Sequence, residues 1–141
     1  MSKFILDTDT LQYFQSGVPD VVERVRMHLA DGIAITIISF EEQLDGWNAA
    51  LKRVSKDHPE RLVPIYDKMS QATRFMTELD IKPFTLDAAL LYAKMRKAYR
   101  RSDAYDLRIA AIAMNSQATL VTNNTDDFKI IDGLRLVNWA R

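Results

Sequence analysis

The chain has no cysteine, only two histidines, four glycines and four prolines, and its charges cancel: 19 lysines plus arginines against 19 aspartates plus glutamates. Without cysteine there are no disulfides, no thiolate nucleophile and no cysteine-ligated zinc site. The balanced charge gives no general case for nucleic-acid binding, so any such case has to be local. His28 and His58 stand in polar sequence surroundings away from the acidic clusters, which points to surface residues rather than ligands. No apolar run approaches a membrane span. The N-terminal MSKFILD offers one lysine and three apolar residues, far short of a signal-peptide core. The expectation is a cytoplasmic protein with no membrane association.

What remains is a folding chain: 141 residues, 48% hydrophobic and 27% charged. That is enough to bury a core without staples, and it is most simply one domain, 1–141.

The apolar pattern alternates between two periods. Phe4 to Leu6 is a short buried strand stopped by Asp7-Thr8-Asp9-Thr10, a cap leading into the helical segment Leu11 to Phe14. Val21, Val22, Val25 and Leu29 recur at helical spacing up to the turn Asp31-Gly32. Ile33 to Ile38, rich in β-branched residues, predicts a strand buried on both faces, ended by Ser39. Two helices follow, through Leu44, Trp47, Leu51 and Val54, then through Val63, Tyr66, Met69 and Met76. Ile81 to Phe84 is a weak strand that Pro83 confines to an edge or a strand end. A further helix carries Ala88, Leu91, Tyr92, Met95 and Tyr99. Leu107 to Met114 has almost no polar face and should be a central helix. Strands are expected at Ala118 to Thr122 and Leu134 to Trp139, separated by the polar loop Asn123 to Asp127. Strands alternating with helices predict an α/β fold with a mainly parallel central sheet, whose ligands bind beyond the carboxyl ends of the strands.

Acidic residues gather at those ends. Asp7 follows the first strand, Glu42 the second, Asp106 opens the central helix, and Asn124, Asp126 and Asp127 follow the fourth strand. Each has a purely structural reading. Ser39-x-x-Glu42 has the form of a capping box, Asp103-x-x-Asp106 is close to one, and Asp7 can cap the first helix. Together they read differently. Carboxylates brought to ~5 Å repel by roughly 3 kcal/mol per pair at an effective dielectric of ~20. A divalent cation offsets that repulsion, and an all-oxygen donor set selects Mg²⁺ or Mn²⁺ over zinc. On this reading Asp7 is a metal ligand, and Asp9 a supporting or capping residue.

With LDTDT at the first strand, EEQLDGW in the third helix, DLRIAA in the central helix, LVTNNTDDF after the fourth strand and GLRLVNW at the end, nearly the whole chain resembles the PIN-domain nucleases, in particular the VapC-type toxins of bacterial toxin–antitoxin pairs. The resemblance implies a PIN-like three-layer sandwich and a Mg²⁺- or Mn²⁺-dependent endoribonuclease, with transfer RNA a common target class. It implies that Asp7, Glu42 and Asp106 are the acidic core. Glu42 is preferred to Glu41 because it stands four residues before Gly46. Thr122, Asn124 and Asp127 would support the site. Asn124 stands where many relatives carry a fourth acid, and Asp126 or Asp127 replaces that charge only if the loop folds back. Relatives also imply a cognate antitoxin, seated on the helical pair from Leu44 to Met76, and a homodimer.

The stretch Lys94 to Arg101, with Arg96, Arg100 and Arg101 leading toward Asp106 and Tyr99 and Tyr105 interleaved, has the makings of a phosphate and base contact. The same pattern arises from a solvated helix face with two core tyrosines. Two other functions fit parts of the sequence. Asp7-x-Asp9 after a first strand resembles the haloacid-dehalogenase-like phosphatases, although no lysine is placed near Asp103 and Asp106 to complete that site. A PIN-like fold weakened at Asn124 would suit an RNA-binding module without catalysis.

Overall fold

The computed structural model describes residues 2–140. Five parallel strands form its sheet: β1 (Phe4–Leu6), β2 (Ile33–Thr36), β3 (Asp80–Lys82), β4 (Thr119–Val121) and β5 (Leu136–Val137). Their spatial order is β3-β2-β1-β4-β5. Phe4 lies opposite Ile33 on one side and Thr119 on the other, which makes β1 the central strand. The chain works outward from β1 through β2 to β3, then returns to add β4 and β5 on the other side. Strand order therefore reverses between β1 and β4, and at such a point the connections leave in opposite directions and open a crevice.

Helices cover both faces. One face carries α1 (Thr8–Gln15), α2 (Pro19–Met27), α3 (Ile37–Lys52) and α4 (Leu62–Thr77); the other carries α5 (Leu86–Ala98) and α6 (Ala104–Asn115). A short α7 (Thr125–Phe128) follows β4. Leu11, Val21, Val25, Met76 and Trp139 form one apolar core with Leu6, Ile35 and Val121 of the sheet. Ile5, Ala34 and Leu120 point the other way, into a core with Met95, Leu107 and the run Ile109 to Ala113. Period-two alternation along each strand feeds the two layers. The near-absence of a polar face on α6 is explained, since Leu107 and residues 109–113 are all buried. Among the described residues no helix is long and apolar enough to cross a membrane.

Several element boundaries differ from the sequence expectation. The second strand stops at Thr36, and Ile37 and Ile38 are already helical. Propensity against β-branched residues is a weak prior. Here the Thr36 hydroxyl accepts the backbone N–H of Ser39 at 3.3 Å and starts the helix two residues early. Ser39 therefore does not begin α3, and Ser39-x-x-Glu42 is not its capping box. Helix α2 ends at Met27, and Leu29 belongs to a separate single turn and is exposed. Gly32, at φ 86°, makes the predicted turn into β2 with a backbone that side-chain-bearing residues rarely adopt. The expected strand Ile81 to Phe84 is Asp80–Lys82 at the sheet edge, with Pro83 just past its end. Part of the expected loop Asn123 to Asp127 is helical, and the last strand shrinks to two residues while Trp139 is buried beyond it.

His28 corrects a second expectation. Its ring stacks on Trp139 at 5.1 Å and lies 4.7 Å from Phe4, while Nδ1 pairs with Asp31 at 3.0 Å. It is a half-buried aromatic packing residue, polar only at one edge. His58 is exposed beside Glu60, as expected.

Candidate active site

The sheet places the first acid directly. β1 ends at Leu6 and Asp7 becomes the N-cap of α1, with Oδ1 accepting the Thr10 amide at 2.9 Å. Backbone pairing to β4 fixes the same residue from the other side, because the Asp7 amide donates to the Val121 carbonyl at 3.0 Å. Asp7 is thus buried at the β1/β4 divergence, 4% exposed. Burial raises its pKa, and hydrogen bonds from Thr122 and Thr10 oppose the rise. Thr122 is fully buried and does two tasks: its hydroxyl serves Asp7 and also accepts the Asn124 amide at 2.9 Å.

Glu42 sits in the second turn of α3, released from any capping duty because Thr36 performs it. Its Oε1 accepts the Thr8 hydroxyl at 2.6 Å, and Thr8 Oγ1 lies 3.0 Å from Ser39 Oγ. A hydroxyl has one proton. Since Thr8 gives its proton to Glu42, Ser39 must be the donor to Thr8. The result is a buried relay, Ser39 to Thr8 to Glu42, that ties α3 to α1 and steadies a carboxylate. Burial raises the Glu42 pKa; the Thr8 bond works against the rise, and the charges of Asp103, Asp9 and Asp7 add to it.

Asp106 arrives from the other layer. Helix α6 ends just before β4 begins, so its N-terminus lies at the carboxyl edge of the sheet. Asp103 caps it, accepting the Asp106 amide at 3.1 Å, which leaves the Asp106 carboxylate free of the cap. Desolvation, then the charges of Asp103, Glu42, Asp7 and Asp127 in that order, push its pKa up to about 7. Residues separated by nearly 100 positions in sequence therefore share one electrostatic neighbourhood. Among the described residues no group of three histidine or acidic side chains stands, as placed, ready to hold a metal ion. The donors nonetheless suit a hard cation: all are carboxylate oxygens, and their mutual repulsion is what a divalent charge would relieve.

The remaining sequence candidates divide. Asp127 contributes to the field at Asp106, so the loop does fold back, whereas Asp126 pairs with Lys129 at 2.9 Å. Asn124 faces the site's rim and donates to Asp9 at 2.8 Å. It fixes Asp9 rather than replacing an acid. Arg96, Arg100 and Arg101 are exposed, and Arg96 bonds the Tyr92 hydroxyl at 3.1 Å. Tyr99 is not available for stacking: it packs on the core and its hydroxyl accepts the Asp132 amide at 3.1 Å. Tyr105 donates to Asp45 across α3 and α6, which pushes its pKa up to about 12, and the Arg108 guanidinium lies 5.7 Å from its ring. Sequence reasoning missed Thr8 and Ser39 as supports of Glu42. The one available signal was that two small hydroxyl residues each follow a strand end.

Comparison with known proteins bears on the family and the fold. The PIN domain family profile matches residues 4–134. Ribonuclease VapC2 of Rickettsia felis is 36% identical, over 98% of both chains. The tRNA(fMet)-specific endonuclease VapC of Salmonella typhimurium is 27% identical over 99% of this chain and 100% of its own. Among solved structures, VapBC2 from Rickettsia felis bound to a DNA fragment from their promoter matches with a TM-score of 0.77 at 27% identity, covering 96% of this chain and 98% of that one. DNA-bound VapBC from Salmonella typhimurium matches at 0.74 with 26% identity, covering 99% of each chain. A fold with its acids at the β1/β4 crevice, a profile spanning nearly the whole sequence and full-length ribonuclease relatives lead to one assignment: the chain belongs to the PIN-domain family, among the VapC-type ribonuclease toxins of toxin–antitoxin systems.

Proposed function

We propose that this chain, acting as one PIN-like domain, hydrolyses phosphodiester bonds in RNA with Mg²⁺ or Mn²⁺ held by Asp7, Glu42 and Asp106. The observation that supports the reading is the convergence of acids at the crevice: the Asp106 carboxyl is partly desolvated there and lies in the field of Asp103, Glu42, Asp7 and Asp127, which together push its pKa up to about 7. A fold that builds such repulsion into its crevice needs a positive partner there. When bound, that metal supplies charge to the scissile phosphate and acidity to a water.

The chain's own residues do the positioning. Thr10 and Thr122 hold Asp7 in place, so one carboxylate oxygen is committed to the cap while the group stays at the strand end. The Ser39–Thr8 relay holds Glu42 on α3 against the repulsion of its neighbours. Capping by Asp103 orients the first turn of α6 and keeps Asp106 turned to the crevice. Arg96, Arg100 and Arg101, exposed where α5 leads toward α6, supply phosphate contacts. The phosphatase alternative is disfavoured, because Asp9 accepts from Asn124 and so stands as a structural partner rather than a proton donor.

Transfer RNA is the substrate class suggested by the relatives named for tRNA(fMet). An antitoxin is the partner suggested by the solved VapBC complexes, and the outer face of α4, where Val63 and Tyr66 are more than half exposed, offers it apolar surface. Pairing with a second copy is part of the same proposal.

The test is incubation of the purified chain with total tRNA in Mg²⁺ and in EDTA. Cleavage in Mg²⁺ that ceases in EDTA and in Asp7→Ala is expected. RNA binding without cleavage, unchanged by Asp7→Ala, would make the chain a binding module instead.

A further inference from the structure

Beside the acids lies a groove of about 690 Å³ between α1, α3 and α4, large enough for a nucleotide. One face of each helix lines it, at helical spacing: Gln12 and Gln15 from α1, Gln43 and Trp47 from α3, Gln71 and Phe75 from α4. Glu42 also lines it, so the groove opens directly onto the carboxylate cluster.

Its lining includes four carboxamides and two aromatic rings. Gln43 is 5% exposed and forms a reciprocal amide pair with Gln15, donating to Gln15 Oε1 at 2.8 Å and accepting from Gln15 Nε2 at 3.4 Å. Each amide in such a pair retains a second N–H and a second lone pair. The pair therefore presents fixed donors and acceptors, as the edge of a base does. Phe75 is held edge-on by Phe14 with ring centroids 5.0 Å apart, so its ring is a rigid wall. Lys68 on the α4 side adds one cation.

Gly46 is the independent sign that space is being kept. Glycine is the poorest helix former after proline, yet Gly46 lies inside the 16-residue helix α3. It lines the groove, and a Cβ built there would meet nothing within 4 Å. No packing within the chain demands a glycine at this position. What its missing side chain provides is open groove one turn from Glu42.

We propose that this groove is a base-recognition subsite: it takes one unpaired nucleobase next to the scissile phosphate, stacked on Trp47 or Phe75 and read at its edge by the glutamine amides. The inference rests on the ribonuclease reading above. Amides that can both donate and accept suit bases, whose edges carry both kinds of group, better than they suit an apolar peptide face.

The experiment uses short single-stranded oligoribonucleotides, intact or with one abasic position on either side of the cut, and the full chain as wild type, Gly46→Leu and Gln71→Leu. Cleavage is followed in Mg²⁺ and binding by fluorescence anisotropy in EDTA. Gly46→Leu puts a side chain into the groove from a position where a Cβ meets no atom within 4 Å and improves helix propensity, and Gln71→Leu changes an exposed residue on the wall opposite α3; unchanged thermal melting verifies that both fold. For the wild type, loss of the base at one flanking position should raise KM and weaken binding by about tenfold to a hundredfold, the usual worth of a stacked base. Gly46→Leu should lose the same factor on intact RNA and be indifferent to the abasic site. Gln71→Leu should alter the ranking of the four bases there. Wild-type cleavage that Gly46→Leu leaves unchanged on every RNA overturns the subsite and leaves the nuclease reading intact. Base-dependent binding lost in Gly46→Leu, without cleavage by any form, sustains the subsite and overturns the nuclease reading. Neither binding nor cleavage overturns both.

Discussion

Replacing Asp106 by asparagine should make the metal-free protein more stable, although it removes a residue of the proposed active site. The folded chain raises the Asp106 pKa from 3.8 to about 7, while the unfolded chain leaves it near the ordinary carboxylate value. A group whose folded pKa is raised contributes stability that is present below the unfolded pKa and lost as pH climbs through the folded one. Wild type should therefore lose this increment between about pH 4 and pH 7, and Asp106→Asn, nearly isosteric and never charged, should not. Without screening the shift of roughly three units corresponds to about 4 kcal/mol. Asp106 is only half-buried, and solvent screening reduces this to about 1–2 kcal/mol. For a chain of 141 residues, unfolding entropy near 2.1 cal/mol/K per residue converts that into about 3–7 °C. Thermal melting in EDTA, from pH 4 to pH 8, measures it directly. The difference between variant and wild type should be near zero at pH 4 and reach its full value by pH 8. Adding Mg²⁺ or Mn²⁺ at pH 8 should then stabilise wild type, by about 2.7 kcal/mol at a hundred times the dissociation constant, and leave Asp106→Asn little changed. A difference that is flat with pH, or a variant less stable at pH 8, would mean that burial and the neighbouring charges do not disfavour the Asp106 carboxylate and that the case for a cation fails.

Three further outcomes follow from the bonds around the acids. Thr8→Val removes the 2.6 Å donor to Glu42. It should lower kcat more than it raises KM and move the acidic limb of the pH–rate profile upward, with Thr8→Ser restoring both. Equal loss in Thr8→Ser and Thr8→Val would deny the hydroxyl relay. Thr36→Ala should cost about 1 kcal/mol of stability, as loss of an N-cap does; denaturant unfolding checks it, and no change would return the α3 cap to Ser39. Asp9→Asn should keep tRNA cleavage within about threefold of wild type, less than 1 kcal/mol in the barrier, because Asp9 bonds Asn124 at the rim and caps nothing in α1. Complete loss of activity with metal binding intact would revive the phosphatase-like reading.

The sequence disclosed the acids more readily than what holds them. Asp7 is visible because an apolar run stops at it, and Asp106 because it opens a helix with no polar face; both signals are local in the chain. Capping misled in one place. Ser39-x-x-Glu42 matches a capping box, but the strand-like Ile37 and Ile38 are helical, Thr36 supplies the cap, and Ser39 is buried as the first hydroxyl of a relay. Propensity could not reveal this, because the deciding partner, Thr8, is 31 positions away. In the sequence Asn124 stands where an acid is expected. Its actual partner, Asp9, lies 115 residues earlier, and only the parallel β1/β4 pairing brings the two together. Local sequence points to a surface residue at His28, whereas its ring packs against Phe4 and Trp139, which come from opposite ends of the chain.

These cases share a cause that bears on the chemistry. Periodicity records which face of an element is buried, and strand ends record where a crevice opens, so fold and acids were legible together. The protonation of those acids depends on hydroxyls and amides that cross between layers. Thr122 and Thr10 lower the pKa of Asp7 and Thr8 lowers that of Glu42, each against burial, whereas no hydrogen bond offsets the rise at Asp106. The site is asymmetric as a result. Two carboxylates are supported as anions by the protein, and the third is left to whatever positive charge enters the crevice. Asp106 is therefore the residue through which cation occupancy should govern both stability and activity.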